Sequence, residues 1–209
     1  DAYQPRGEKS DEMSATEKSR ARDKLKEMTI FEDRDVLILN KPYGLATQGG
    51  SKVKNHVDGM LRALENDKVQ PKLVHRLDRE TSGVLIVAKN AAAARNLGKS
   101  LKHRDAQKYY WAIVAPAPEL PDGVIEARIA KGAARGGEYM MVNDEDGKYS
   151  KTEYQVVERA WTKAAWLMMQ PETGRTHQLR IHAQLMGCPI IGDSKYGPEE
   201  PIIIEDLDN

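Results

Sequence analysis

Only one cysteine, Cys188, occurs in 209 residues, and 32 basic side chains are cancelled by 32 acidic ones. A single thiol excludes an internal disulfide and fits a reducing compartment, so Cys188 is read as a small core residue. The chain also lacks any apolar run approaching the ~20 residues that cross a bilayer. Its first thirty residues mix charges of both signs without the apolar stretch of a signal peptide, which predicts a soluble protein. There is no dinucleotide fingerprint, no phosphate loop, no HExxH and no cysteine cluster. His177 and His182 stand five apart, which does not align them on one helical face for a metal. Neither a metal nor a cofactor is therefore expected.

What is present is unevenly spread. Between Lys72 and Lys108 nine basic residues face three acidic ones, whereas the tail from Glu199 to Asn209 holds five acidic residues and no basic one. The neutral total thus hides a basic middle that suits a polyanion and an acidic end. Residues 1–27 are polar and nearly free of large apolar side chains, and are read as a linker or a frayed helix. Residues 28–197 form the expected folded domain, followed by an acidic tail over 198–209.

Within that domain the elements are short. Met28–Phe31 and Val36–Leu39 read as strands around a polar turn, and Pro42 with Gly44 ends the second. Apolar spacing predicts a helix over His56–Leu64 and another over Ala91–Lys102, with Arg95, Lys99 and Lys102 on one face of the latter. Leu85–Ala88 reads as a fully buried strand, and Gln107–Val114 as a strand with aromatic content. Val124–Ala130 and Glu138–Val142 flank the turn Lys131–Gly137, while Lys151–Val156 and Ala164–Met169 read as neighbouring strands. Leu179, Ala183 and Met186 recur at helical spacing before Gly187, which is placed to stop the helix. Sequential strands with a few helices predict an α+β fold built on a mainly antiparallel sheet.

The organising stretch is Val74–Asn90, VHRLDRETSGVLIVAKN, where His75, Arg76, Asp78, Arg79 and Glu80 crowd against an apolar strand. Ionised groups beside a core strand must be paired or have a task. HRLDRETSGVLIVAK resembles the signature of the pseudouridine synthases of the Rlu type. NKP-x-G at Asn40–Gly44, followed by QGGS at Gln48–Ser51, resembles that family's first motif. A lysine and tyrosine in QKYYWAIV, GRTHQLRIH at Gly174–His182 and GD-x-x-YG at Gly192–Gly197 resemble its later ones. The resemblance covers about Met28 to Gly197, and within the family it leans to the RluC and RluD subgroup, which acts on large-subunit ribosomal RNA. Transfer RNA or organellar RNA are the alternative substrates.

The resemblance implies isomerisation of uridine to pseudouridine in RNA by base flipping, without a cofactor. It places the catalytic aspartate at Asp78, the active-site tyrosine at Tyr110 rather than Tyr109, and the active-site basic residue at Arg180. A guanidinium beside an aspartate favours its charged form, so Arg180 is expected to pair with Asp78. Arg76 is the candidate to fill the stack left by a flipped base. Arg79, Lys41, Lys99, Lys102 and Arg175 are expected to contact RNA. The family commonly carries an RNA-binding domain of the S4 kind, and nothing in residues 1–27 resembles one. A monomer in the cytoplasm is expected, or in the mitochondrial matrix if the source is eukaryotic. Two other readings stay open: a glycosidase or N-glycosylase pairing Asp78 with Glu80 or Asp193, and a non-catalytic RNA-binding module.

Overall fold

The polar N-terminal stretch is more than the linker or frayed helix its composition suggests. In a computed structural model, which describes residues 13–49, 55–66, 69, 71–102, 106–132 and 139–197, Ala15–Met28 form helix α1. Ser14 caps it: its hydroxyl accepts from Glu17 N–H, and Glu17 reaches back to Ser14 N–H at 2.8 Å. Ala21, Leu25 and Met28, spaced by four and three, are buried. Sparse apolar residues at helical spacing thus suffice to dock a helix whose other faces are charged. Residues 1–12 and the acidic tail 198–209 lie outside the described residues, as do Gly50, Ser51 and residues 133–138, which include most of the expected turn Lys131–Gly137.

The chain divides into two compact units, residues 1–103 and 104–209. In the first, α1 is followed by strands β1 (Thr29–Glu32) and β2 (Val36–Lys41), then by helix α2 (Val57–Leu61), which continues as a 3-10 turn over Arg62–Leu64. Strands β3 (Lys72–Leu73) and β4 (Gly83–Ala88) come next, and helix α3 (Ala91–Lys102) ends the unit. The sheet order is β1-β2-β4-β3, with every pair antiparallel. β4 differs from its expected full burial. Of the expected run Leu85–Ala88, Leu85, Val87 and Ala88 are buried and Ile86 is half-buried, while Val84 ahead of it is 57% exposed. An antiparallel sheet can leave one face wet, so a continuous apolar run overstates burial here.

In the second unit β5 (Tyr110–Val114), β6 (Asp122–Gly132), β7 (Tyr139–Val142), β8 (Lys148–Ala160) and β9 (Ala164–Pro171) form one sheet in the order β5-β9-β8-β6-β7. All its pairs are antiparallel as well. Helix α4 (Gln178–Leu185) follows, and Gly187 adopts φ +73° just beyond it, the conformation expected of a helix-stopping glycine. Val114, Ile125, Tyr154, Leu167, Met169, Ala183 and Cys188 form the core between sheet and helix. The α+β architecture of antiparallel sheets with few helices is therefore as expected, and among the described residues no helix is long and apolar enough to cross a membrane.

Because Leu25 is 3% exposed, Leu25→Ala should lower the unfolding free energy by about 2–4 kcal/mol in a urea titration. A change below about 0.5 kcal/mol, the range of an exposed site, would mean that α1 does not belong to the core.

Candidate active site

Sheet register decides which segments meet near Asp78. Lys41, the last residue of β2, pairs with Gly83, the first of β4, so the chain leaving β2 and the chain entering β4 lie at the same end of the sheet. They are stitched together through the backbone. Gly44 N–H donates to Arg79 C=O at 2.9 Å, and Arg79 Nε donates back to Gly44 C=O at 3.1 Å. Gly44 has φ +81°, which explains why NKP-x-G ends on glycine. The buried Thr47 hydroxyl donates to Leu77 C=O at 2.7 Å and meets Leu77 N–H at 3.2 Å. Asp78 C=O accepts from Thr81 N–H at 3.1 Å, which closes the turn. His75 Nε2 accepts from Ile86 N–H at 2.9 Å and ties the approach of the loop to β4. The half-buried Asp78 therefore stands on a backbone held from both sides.

Lys41 departs from its expected place as an RNA contact. It is 0% exposed, and its ammonium donates to the carbonyls of Pro42 at 3.0 Å, Leu45 at 2.7 Å and Arg79 at 3.4 Å. Burial lowers its pKa to about 8, against which the charges of Asp78 and Glu80 act to raise it. At neutral pH it remains mostly protonated. Its task in this geometry is to pin the two loops that carry Asp78, using three donors on carbonyls no ladder satisfies.

In the second unit, Tyr109, just before β5, is 52% exposed, with its hydroxyl donating to Gln107 Oε1 at 2.8 Å. Tyr110 is half-buried and packs on the core side that α4 covers. Arg180, on α4, is buried with its Nε on Asp193 Oδ2 at 2.6 Å and its Nη2 on Asp193 Oδ1 at 2.7 Å. Burial alone would raise the Asp193 carboxyl. The Arg180 hydrogen bonds, the Lys195 and Tyr196 amides and the Arg180 charge outweigh it and hold the group below the usual carboxylate range. The guanidinium carbon lies 5.1 Å from the centre of the Tyr196 ring. The Tyr196 hydroxyl accepts from Met140 N–H at 2.9 Å and lies 2.8 Å from His177 Nδ1. Asp193 and Tyr196 are thus partners that reading the sequence did not assign to Arg180; their signal was the GD-x-x-YG spacing. The fork also gives Asp193 a partner that the glycosidase reading did not foresee.

Arg180 and Asp78 belong to different units. Arg76 is exposed, and so is Arg79 despite its bond to Gly44. Arg175 is exposed with Nε donating to Tyr149 C=O at 3.0 Å, next to the start of α4. Lys99 is exposed on α3, whereas the side chain of Lys102 lies outside the described residues. Lys89, part of the basic stretch, is instead spent on Glu32 Oε1 and Asp33 C=O, both at 2.6 Å. Among the described residues no group of three or more His, Cys, Asp or Glu side chains is placed to hold a metal ion.

The pattern of the RNA pseudouridylate synthase family matches residues 35–185. The chain is 40% identical over 174 residues to the ribosomal large subunit pseudouridine synthase C of Rickettsia bellii, covering 83% of this chain and 58% of that protein. It is 42% identical over 176 residues to the Haemophilus influenzae protein of the same name, covering 84% and 54%. The chain thus spans little more than half the length of these relatives. Among solved structures, it resembles human RNA pseudouridylate synthase domain containing 4 with a TM-score of 0.74 at 27% identity, over 92% of this chain and 79% of that one. Human RNA pseudouridylate synthase domain containing 1 gives 0.66 at 29% identity, over 82% and 69%.

Replacing Lys41 by Met keeps most of the side-chain volume and takes the ammonium from three carbonyls, of which that of Arg79 keeps its bond from Gly44 N–H. Unfolding free energy should fall by about 2–4 kcal/mol, read from the urea midpoint. An unchanged midpoint would show that the ammonium does not hold the loops.

Proposed function

Because the chain belongs to the RNA pseudouridylate synthase family, we propose that it isomerises uridine to pseudouridine in large-subunit ribosomal RNA, as a monomer in the cytoplasm. The observation that carries this reading is the match over residues 35–185, which spans both the loop of Asp78 and the whole of α4 with Arg180. The ribosomal substrate comes from the names of relatives that are about 40% identical.

The reaction breaks the bond from N1 of uracil to C1′ of the ribose, turns the base and rejoins it through C5. The proton lost from C5 balances the one gained at N1, and no electrons or phosphoryl groups move. In this reading Asp78 is the catalytic carboxylate, which must be ionised and shielded from water. The loop stitched by Lys41 and Thr47 fits such a group, because a nucleophile or base is useful only when its position is held. Arg180 serves as the active-site basic residue, and its fork on Asp193 supplies a fixed orientation. Tyr110 lies against the uracil ring. A base within a duplex must be turned out at a cost of a few kcal/mol, and Arg76 occupies the space it leaves. Arg79, Lys99, Lys102 and Arg175 meet phosphates, so affinity for RNA falls as salt rises.

Incubation with uridine-labelled RNA tests the reading directly. Isomerisation yields pseudouridine, a glycosylase would release free uracil, and a binding module would leave the label unchanged. Asp78→Asn, nearly isosteric, should reduce pseudouridine formation by at least about 1,000-fold while RNA affinity stays within a few-fold. Substantial residual turnover would remove Asp78 from its assigned role.

A further inference from the structure

Helix α4 carries two buried polar side chains that the proposed reaction does not use, Gln178 and His182. They stand one turn apart and both meet β8, whereas Arg180, two residues from each, leaves the helix roughly 200° around its axis. The hydrogen bonds of this face run in a single direction. Ser150 O–H donates to Ala127 C=O at 2.7 Å, so the Ser150 oxygen, 2.8 Å from His182 Nε2, accepts from that nitrogen. With the proton on Nε2, Nδ1 of the neutral ring is an acceptor and takes the Thr152 hydroxyl at 2.9 Å. Thr152 accepts in turn from Gln178 Nε2 at 3.0 Å, and Gln178 Nε2 also donates to Lys151 C=O at 2.9 Å. Gln178 Oε1 takes the Thr173 hydroxyl at 2.7 Å and Arg175 N–H at 3.0 Å. Burial pushes His182 down to about 4, which keeps the ring in the neutral form that this row of bonds requires.

Apolar contacts on the same helix, such as Ala183 against the core, resist separation but are non-directional and do little to resist rotation about the axis. A row of hydrogen bonds with fixed donors and acceptors does resist it. We propose that Gln178 and His182 are positioning residues for Arg180: by tying one face of α4 to β8 they set the roll of the helix and so the direction in which the guanidinium leaves it. This rests on the reading that Arg180 acts at the reacting uridine. A roll of ~15° swings a group ~8 Å from the axis by ~2 Å, and a displacement of that size in a catalytic group is felt in turnover.

The test measures kcat for pseudouridine formation and Kd for the RNA in His182→Leu, His182→Gln and Thr152→Val, each in the parental and the Arg180→Lys background. Arg180→Lys keeps the charge without the fork and should retain measurable turnover. His182→Leu should lower kcat roughly 10- to 100-fold with Kd within about 3-fold. His182→Gln, whose amide can donate and accept, should recover part of the loss. In the Arg180→Lys background the same His182→Leu change should cost under about 3-fold, because the group it aims has already lost its geometry. Thr152→Val cuts the row at a near-isosteric position and should reproduce the kcat loss even if His182→Leu fails to fold. Equal kcat losses in both backgrounds, no recovery with Gln, or parental kcat in Thr152→Val would each overturn the proposal. If Arg180→Lys alone keeps the parental kcat, the role of Arg180 falls first and this inference with it.

Discussion

The fork between Arg180 and Asp193 is the constraint on which the second unit depends. Both side chains are nearly out of water, at 7% and 4% exposure, so each charge has lost its hydration and must be compensated locally. Two short, parallel bonds supply part of that compensation, and the amides of Lys195 and Tyr196 complete the coordination of Asp193. The arrangement binds α4 to the GDSKYG loop and folds that loop over the helix, which in turn buries Tyr196 against His177 and Met140. Removing Arg180 would take the guanidinium away from the buried Asp193 carboxylate, at a cost of about 3–5 kcal/mol. The pair is therefore less a source of stability than a device that allows one orientation of the guanidinium.

The first unit solves the same problem with a different cation. Lys41 has no carboxylate in hydrogen-bond contact; its ammonium is shared by three carbonyls at the end of the sheet from which Asp78 emerges. A compact ammonium suits this, since its donors point outward in three directions, whereas a planar guanidinium suits the two-pronged carboxylate. In both units a buried cation holds the segment, and the groups assigned to RNA, such as Arg76, Arg79 and Arg175, lie exposed. The formal charge balance is therefore a poor guide to the surface: part of the positive charge is internal scaffolding, and Lys89 is spent on Glu32.

Elements whose determinants are local were legible in the sequence. Helix α3 has the bounds that its alanine-rich pattern predicts, and α4 ends before Gly187 as its spacing demands. Long-range pairings were not. Nothing near Lys41 in the chain reveals that Arg79 C=O will lie beside its ammonium, 38 residues away, so a lysine next to a proline turn read as a surface contact. Helix α1 was hidden for a related reason: its buried residues, Ala21, Leu25 and Met28, are few, and composition averages them away although their spacing does not. Asp193, 13 residues downstream of Arg180 and bound to it, was noted in the sequence only as a possible second carboxylate. The residues that hold the candidate site in place were thus opaque in the sequence.

On the proposed reading, Asp193 bears on the reaction through the orientation of Arg180. Asp193→Asn keeps the shape of the side chain, removes its charge and turns one acceptor into a donor facing a cation. Turnover and RNA affinity of this variant should be measured together, well below the melting temperature of each protein. The account predicts that kcat falls roughly 10- to 100-fold while Kd for RNA stays within about 3-fold. A folded Asp193→Asn protein with the parental kcat would contradict it.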